Sequence, residues 1–430
     1  MIDTINPMSL DLTKNLHGHV RVELRDRWTG RVVDSREKDN LVTNAVQKLM
    51  LTAMWSNAGG SKDWIPLYSR PLGGLFLFDG TLTESADNIS FPPSAKLVAY
   101  AGQIGNTSEA IGGSFNGEES VPTANGFTTV WDFATSQANG TIASLARSSY
   151  AFSVFPAGIL TGNELYSFVS GDLLPTGFAV SNFTYLGYDD TNKYIYFTLN
   201  STVSVGGVSY SSATIYRAKA NLSALGVFFG FADTSTWEVV KTLTSSDGST
   251  NARWYTYDQY AQNFVWKSGQ TLHIVALDGT HTTKTLSGST DPYKLAVTEN
   301  YYWTTNTAGD TVYRYDKTNT ANVQAITANC TYLAPGDNDI MFGWNSAIVS
   351  IIYPDKSVVN KSKVTTTGFP ALSFRKIGPF YSWSSGVGSS TAAHQLYPTS
   401  HYLGTIANLD NPVTKASSQT MKVTYTLTEA

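Results

Sequence analysis

The sequence predicts a mostly β protein in which a discontinuous β-sandwich with one covering helix carries an inserted β-propeller-like repeat domain. Three observations lead there. Aromatic residues make up 13% of the chain and charged residues only 14%, while Ser, Thr, Gly and Asn fill long stretches with few helix formers, a composition that suits strands. A segment of roughly 40 residues recurs through the middle of the chain, and segments on either side of it alternate apolar and polar residues as half-buried strands do.

Residues 18–37, HGHVRVELRDRWTGRVVDSR, alternate at Val20, Val22 and Leu24, turn at Trp28-Thr29-Gly30 and resume at Val32, which predicts a hairpin with one dry face. A helix follows, capped by Asn44 with Gln47 three residues on. Its Val46, Leu49, Met50, Ala53 and Met54 recur at helical spacing to cover a sheet. GGLFLFDG (73–80) and AKLVAYAG (95–102) are continuous apolar runs, the pattern of strands buried on both faces. In WDFATSQANGTIASLA (131–146), Asn139-Gly140 sits between alternating apolar residues and predicts a hairpin whose second strand, 141–146, is the last sandwich element before the insert.

The repeats share one grammar: Asn, a strand rich in aromatic or apolar residues, a turn with Gly or Asn, a second strand and an Asp-centred turn. Asn263, Asn300 and Asn338 lie 37 and 38 residues apart, and Asp278, Asp316 and Asp355 lie 38 and 39 apart. An earlier copy surrounds Asn192, with an extra loop at 201–211. Four copies of this kind predict a propeller of five or six blades. Beyond it, Met421, Val423, Tyr425 and Leu427 alternate with polar neighbours as a terminal strand that needs a sheet to join. The domains expected are therefore 1–147 (sandwich), 148–371 (propeller) and 372–430 (sandwich), the insert leaving and returning through adjacent strands.

Chemistry is sparse. The repeated Asn and Asp residues suit side-chain-to-backbone turn bonds, with the aromatics packed between blades. On the functional reading, Trp237, Trp254, Tyr255, Tyr257, Trp303 and Trp344 gather on one propeller face as a sugar-binding surface, since aromatic faces stack on sugar rings. A glycosidase needs two facing carboxylates, and Glu164, Glu238 and Glu299, the glutamates of 148–371, lie in no catalytic motif. Arg217, Arg253 and Arg314 could mimic an arginine triad, but Arg217 and Arg314 hold equivalent repeat positions. No enzyme activity is expected. The six His show no metal-ligand spacing, Asp189-Asp190 and Asp337-Asn338-Asp339 do not continue into a calcium loop, and neither metal nor cofactor is expected. Lone Cys330 fits a buried structural thiol. The formal net charge of -4 without a Lys/Arg cluster speaks against nucleic acid, and no run of apolar residues is long enough for a membrane span.

The hairpin and helix start VRVELRDRWTGRVVDSREKDNLVTNAV, the block LGGLFLFDG, the pair GSFNGEES and VWDFATSQANGTIASLA, and the ending NPVTKASSQTMKVTYTLT together resemble structural proteins of tailed bacteriophages, especially phages of gut bacteria. The resemblance covers most of the flanks and not the repeats. It implies a non-enzymatic tail, collar or head-fibre component of the virion, assembled in the host bacterial cytoplasm. Other virion proteins would be its partners, with a homo-oligomer, often a trimer, and a host surface glycan. The alternatives are a surface-glycan depolymerase or sialidase-like enzyme on the particle, and a propeller that touches only neighbouring virion proteins.

Overall fold

The computed structural model describes residues 16–46, 72–102, 109–148, 166–167, 175–179, 182–223, 226–229, 233–288, 292–345, 348–362, 375–377, 380–383, 395–398 and 402–429. Strands dominate them. The first eight are β1 (Leu16–Asp26), β2 (Val32–Val42), β3 (Gly74–Phe78), β4 (Leu97–Ala101), β5 (Ser114–Phe115), β6 (Val121–Thr123), β7 (Gly126–Phe133) and β8 (Gly140–Ser148). Then come β9 (Tyr166–Ser167), β10 (Phe183–Asp189), β11 (Tyr194–Leu199), β12 (Val203–Val205), β13 (Val208–Tyr210), β14 (Thr214–Ser223), β15 (Gly226–Phe229) and β16 (Glu238–Thr242). β17 (Thr256–Asp258), β18 (Asn263–Ser268), β19 (Thr271–Ala276), β20 (His281–Thr285), β21 (Pro292–Val297), β22 (Tyr301–Asn306), β23 (Thr311–Asp316) and β24 (Val323–Thr327) follow. The last are β25 (Tyr332–Pro335), β26 (Met341–Trp344), β27 (Ile348–Ile352), β28 (Val358–Ser362), β29 (Arg375–Ile377), β30 (Phe380–Trp383), β31 (Gln395–Pro398), β32 (Thr405–Lys415) and β33 (Gln419–Glu429).

The sandwich is one ten-stranded sheet folded over on itself, in the order β4-β3-β8-β32-β2-β1-β33-β7-β5 with β6 beside β7. Leu41 and Val42 pair with Ile406 and Thr405 at the corner, and a bridge between Tyr100 and Gly112 brings the two free edges together, so the sheet nearly closes. Closure hides strand edges that would otherwise pair with other chains. The inward faces meet in one core. Val22 stands opposite Val423, which stands opposite Trp131, and these join Leu75, Leu77, Ile142 and Leu145 of the facing layer. The terminal strands β1 and β33 pair along their whole length, from Leu16–Glu429 to Asp26–Gln419, as the alternation at Met421 to Leu427 requires.

Two local expectations need correction. β7 and β8 do not form a hairpin: β7 lies on β33 in one layer, and β8 lies between β3 and β32 in the other. The turn between them crosses the sandwich because its groups bond other elements. Ala138 N–H donates to Ala110 O, and Lys415 Nζ donates to Asn139 Oδ1 at 2.9 Å and Thr135 O at 3.3 Å. Asn44 is not the helix cap but the first helical residue; its side-chain amide donates to Asp87 Oδ1 at 2.6 Å. The helix is described only over 44–46, so Gln47, Leu49, Met50, Ala53 and Met54 lie outside the described residues.

The insert leaves through β8 and returns through β32, which are antiparallel neighbours with Leu145 opposite Ala407. Among the described residues it forms four blades and a smaller fifth sheet. β10, β11 and β14, with β15 and β16 against β14, make the first blade; β17–β20, β21–β24 and β25–β28 make the next three. The extra loop of the first copy is the two-stranded β12–β13. In the fifth sheet, β29-β30-β31-β9, the outermost strand comes from before the first blade, so both ends of the insert meet there. Strands at 375–398 thus belong to this sheet, not to the sandwich segment 372–430 expected from the sequence. Their partner β9 is two residues long, too short for any period to register.

Sandwich and propeller share a core. Leu75 and Leu77 of β3 point into the sandwich, while Phe76 and Phe78 pack with Phe342, Trp344, Ile351 and Tyr353 of the fourth blade. That is why β3 is buried on both faces. Phe91 meets Phe342 edge-on at 6.2 Å, and Lys96 lies 4.0 Å over the Tyr353 ring while pairing with Asp355 at 2.9 Å. On the first blade, Ala45 and Tyr402 join the cluster of Phe183, Tyr185, Phe197 and Tyr216.

Candidate functional site

The repeated Asp and Asn residues build turns. Asp278, Asp316 and Asp355 accept backbone N–H groups from Thr280, Thr318 and Ser357 at 2.8, 2.8 and 3.0 Å, each at the turn between the third and fourth strands of its blade. Asp355 is held at about 2, chiefly by the Ser357 hydrogen bond, with Lys96 adding to it. Asp189 holds Asn192 in the same manner. Asp339 instead reaches back to the preceding repeat, accepting the backbone N–H of Asn300 at 2.9 Å and its side-chain amide at 2.6 Å. Among the described residues no group of three or more His, Cys, Asp or Glu is placed to hold a metal, and no helix is long and apolar enough to cross a membrane.

Cations staple successive blades. Lys241 donates to Gly279 O at 3.0 Å, Lys284 to Lys317 O at 2.6 Å, and Arg314 to Pro354 O, each reaching the third turn of the following blade. Lys317 also pairs with the fully buried Asp258 at 2.6 Å. Burial lowers the Lys317 ammonium although Asp258 opposes that shift. Cys330 is buried and its thiol is pushed up to about 12 by desolvation; a Cβ on Gly343 would stand 2.3 Å from its sulfur, so the glycine leaves room for it.

The six aromatic residues proposed from sequence do not form one surface. Tyr255, Tyr257, Trp303 and Trp344 are buried. Trp303 donates its indole N–H to Thr298 at 2.9 Å, and Tyr257 packs tilted against Tyr196, with centroids 4.4 Å apart, between the first two blades. Trp237 is half-buried among Phe178, Phe197 and Tyr210, with ring centroids 5.3, 4.8 and 5.2 Å away. Only Trp254 is exposed, at 44%. It ends a short turn capped by Asn251 and has the Arg253 guanidinium 5.3 Å from its ring.

The carboxylates and arginines disperse likewise. Glu238 pairs with Arg217 at 2.5 Å and accepts from Tyr194 at 3.1 Å on the outside of the first blade, and the Arg217 bond holds its carboxyl below the usual range. Arg314 lies 4.3 Å over Tyr301 in the third blade. Arg217, Arg253 and Arg314 therefore have separate partners and make no triad; Glu164 lies outside the described residues.

Sequence reasoning missed a row of rings across the second blade. Trp266 stacks on His273 at 5.3 Å, and His273 on His281 at 5.3 Å with Nδ1 and Nε2 3.1 Å apart. Burial, and then the charge of His281, lowers the His273 imidazole. In the strand register Trp266 faces His273, a pairing that metal-ligand spacing does not reveal. Tyr260, 40% exposed, was also missed.

No family model matches the sequence, and no curated protein matches it. Several solved structures are similar to it at low scores. A streptogramin B lyase is 10% identical with a TM-score of 0.29, over 71% of this chain and 91% of that one. A nidogen/laminin complex is 12% identical with a TM-score of 0.33, over 63% and 95%. A catalytically inactive virginiamycin B lyase from Staphylococcus aureus with quinupristin is 10% identical with a TM-score of 0.28, over 75% and 97%. Because lyases stand among these neighbours, the expectation that the chain is no enzyme is withdrawn. At such identities and scores the likeness assigns this chain no activity.

Proposed function

We propose that the chain is a structural component of a tailed-bacteriophage particle, assembled as a homotrimer, whose sandwich anchors to other virion proteins and whose propeller projects towards the host surface. One observation supports this reading above others. The segments that resemble phage structural proteins lie up to four hundred residues apart, yet β1, β2, β3, β7, β8, β32 and β33 gather them into a single sheet, while the repeats form a separate ring. An anchoring module that carries an insert leaving and returning through neighbouring strands is built this way. On the ring, Trp254 with Arg253 beside it offers an exposed aromatic and cationic surface for a glycan.

Mass spectrometry of purified particles whose genome encodes the chain tests the assignment: it should be present in fixed stoichiometry with its neighbours. Absence from particles, with abundance in the lysate, would sink it. Full-length protein should bind host cells and lose that binding in Trp254→Ala; binding unchanged in that variant transfers the role to contacts within the particle. Sugar release from host polysaccharide would replace attachment with depolymerisation.

A further inference from the structure

A cavity of about 380 Å³ opens at the end of the sandwich away from the strand ends through which the insert leaves and returns. It lies where the 134–139 turn crosses between layers and is within the size range of small-molecule sites. Its lining is mostly apolar, and Phe133 and Met421, both of the sandwich core, lie beneath it. Its rim is polar and carries hydrogen-bonding capacity that the protein does not use. Arg25 gives one N–H to Glu23 at 2.7 Å, while its buried Nε–H has no acceptor. Asp132 takes the Asn116 amide on Oδ2 at 2.7 Å. Its Oδ1 and the hydroxyls of Ser114 and Thr420 are left for a ligand or solvent.

The charges of this rim cancel. Arg21 and Arg25 both pair with Glu23, Lys422 pairs with Glu119, and Asp132 stands near Arg25, so three cations face three carboxylates. A charged ligand would meet no net opposite charge, and a purely apolar one would leave the Arg25 and Asp132 groups unpaired at a cost of about 1–3 kcal/mol each. The remaining chemistry is an N–H donor, a carboxylate acceptor and two hydroxyls around an apolar floor. We infer that this cavity is a binding site for a neutral, polyhydroxylated ligand, one or two sugar units in size. The inference concerns the sandwich alone and holds or fails whether or not the chain is a particle component.

Isothermal titration of the full chain tests it, with glucose, galactose, N-acetylglucosamine, maltose and lactose as probes and acetate and phosphate as charged controls. At least one sugar should bind saturably, and Asp132→Asn should weaken it about tenfold or more. Thr420→Trp, which fills the mouth from a half-buried position, should abolish binding with the melting temperature retained. Asp132→Asn keeps the side-chain shape and so reports even if the tryptophan variant misfolds. No saturable sugar binding, sugar binding equal in both variants, or tighter binding of acetate or phosphate would each overturn the inference.

Discussion

The phenol oxygen of Tyr353, just beyond the third strand of the fourth blade, accepts the backbone N–H of Leu97 in the sandwich strand β4 at 2.9 Å. Both groups are buried, and 256 residues separate them in the sequence. Tyr353→Phe keeps the ring but leaves the Leu97 N–H unsatisfied, which should destabilise the protein by about 1–3 kcal/mol. Urea unfolding should show the loss as a lower midpoint at unchanged slope. A midpoint equal to wild type would mean that the bond contributes nothing.

Because Phe76, Phe78 and Phe91 share one cluster with Phe342, Trp344 and Ile351, sandwich and propeller should melt together. Residues 166–398 expressed alone would expose that blade face, and should bind a hydrophobic dye and unfold broadly. Scanning calorimetry of the full chain should give one transition. Two separated transitions, or a soluble fragment as stable as the whole, would contradict the shared core.

Lys317 and Asp258 are a buried pair between the second and third blades. Lys317→Met leaves the Asp258 carboxylate buried without its cation and should cost about 3–5 kcal/mol. Adding Asp258→Asn should recover much of that loss, a coupling that a double-mutant cycle measures directly. Additive effects of the two changes would show that the pair acts as two independent groups.

Lys415 is 1% exposed, and burial lowers its ammonium from 10.5 to about 8. Below pH 8 the folded protein holds a charge that burial disfavours; between about 8 and 10.5 the unfolded chain binds more protons than the folded one, so this group makes stability rise with pH. The gain should be on the order of 2 kcal/mol and absent in Lys415→Met. Denaturation midpoints from pH 7 to 10 that run parallel in the two proteins would remove Lys415 as the cause.

Much of the local structure was legible in the residues. The Asn and Asp spacing marked real turns, since an Asp followed two residues later by Thr or Ser bonds its own turn: Asp278 to Thr280, Asp316 to Thr318 and Asp355 to Ser357. GLFLF declared a strand buried twice over, but not that a propeller blade would cover its second face. The 131–146 segment misled because Asn-Gly between alternating residues is the hairpin signal, and only Lys415 and Ala110, far away in sequence, route the chain to the opposite layer. The arginine candidates failed for a related reason: Arg217 and Arg314 hold equivalent positions in different blades and take separate partners, Glu238 and Tyr301, so repetition scatters residues instead of gathering them. The sandwich cavity escaped notice because Arg25, Ser114, Asp132 and Thr420 come from four separate strands or their ends.

By itself the sequence determined what is periodic and near in the chain: strands with one or two dry faces, Asp-centred turns and the repeat that makes blades. Tertiary structure alone decided which layer each strand joins, where the insert closes and which aromatic rings meet solvent. Trp254 and Trp303 are the same residue type in neighbouring blades, yet one is 44% exposed and the other wholly buried. Exposure depends on what packs against a side chain from elsewhere, and no local period carries that information.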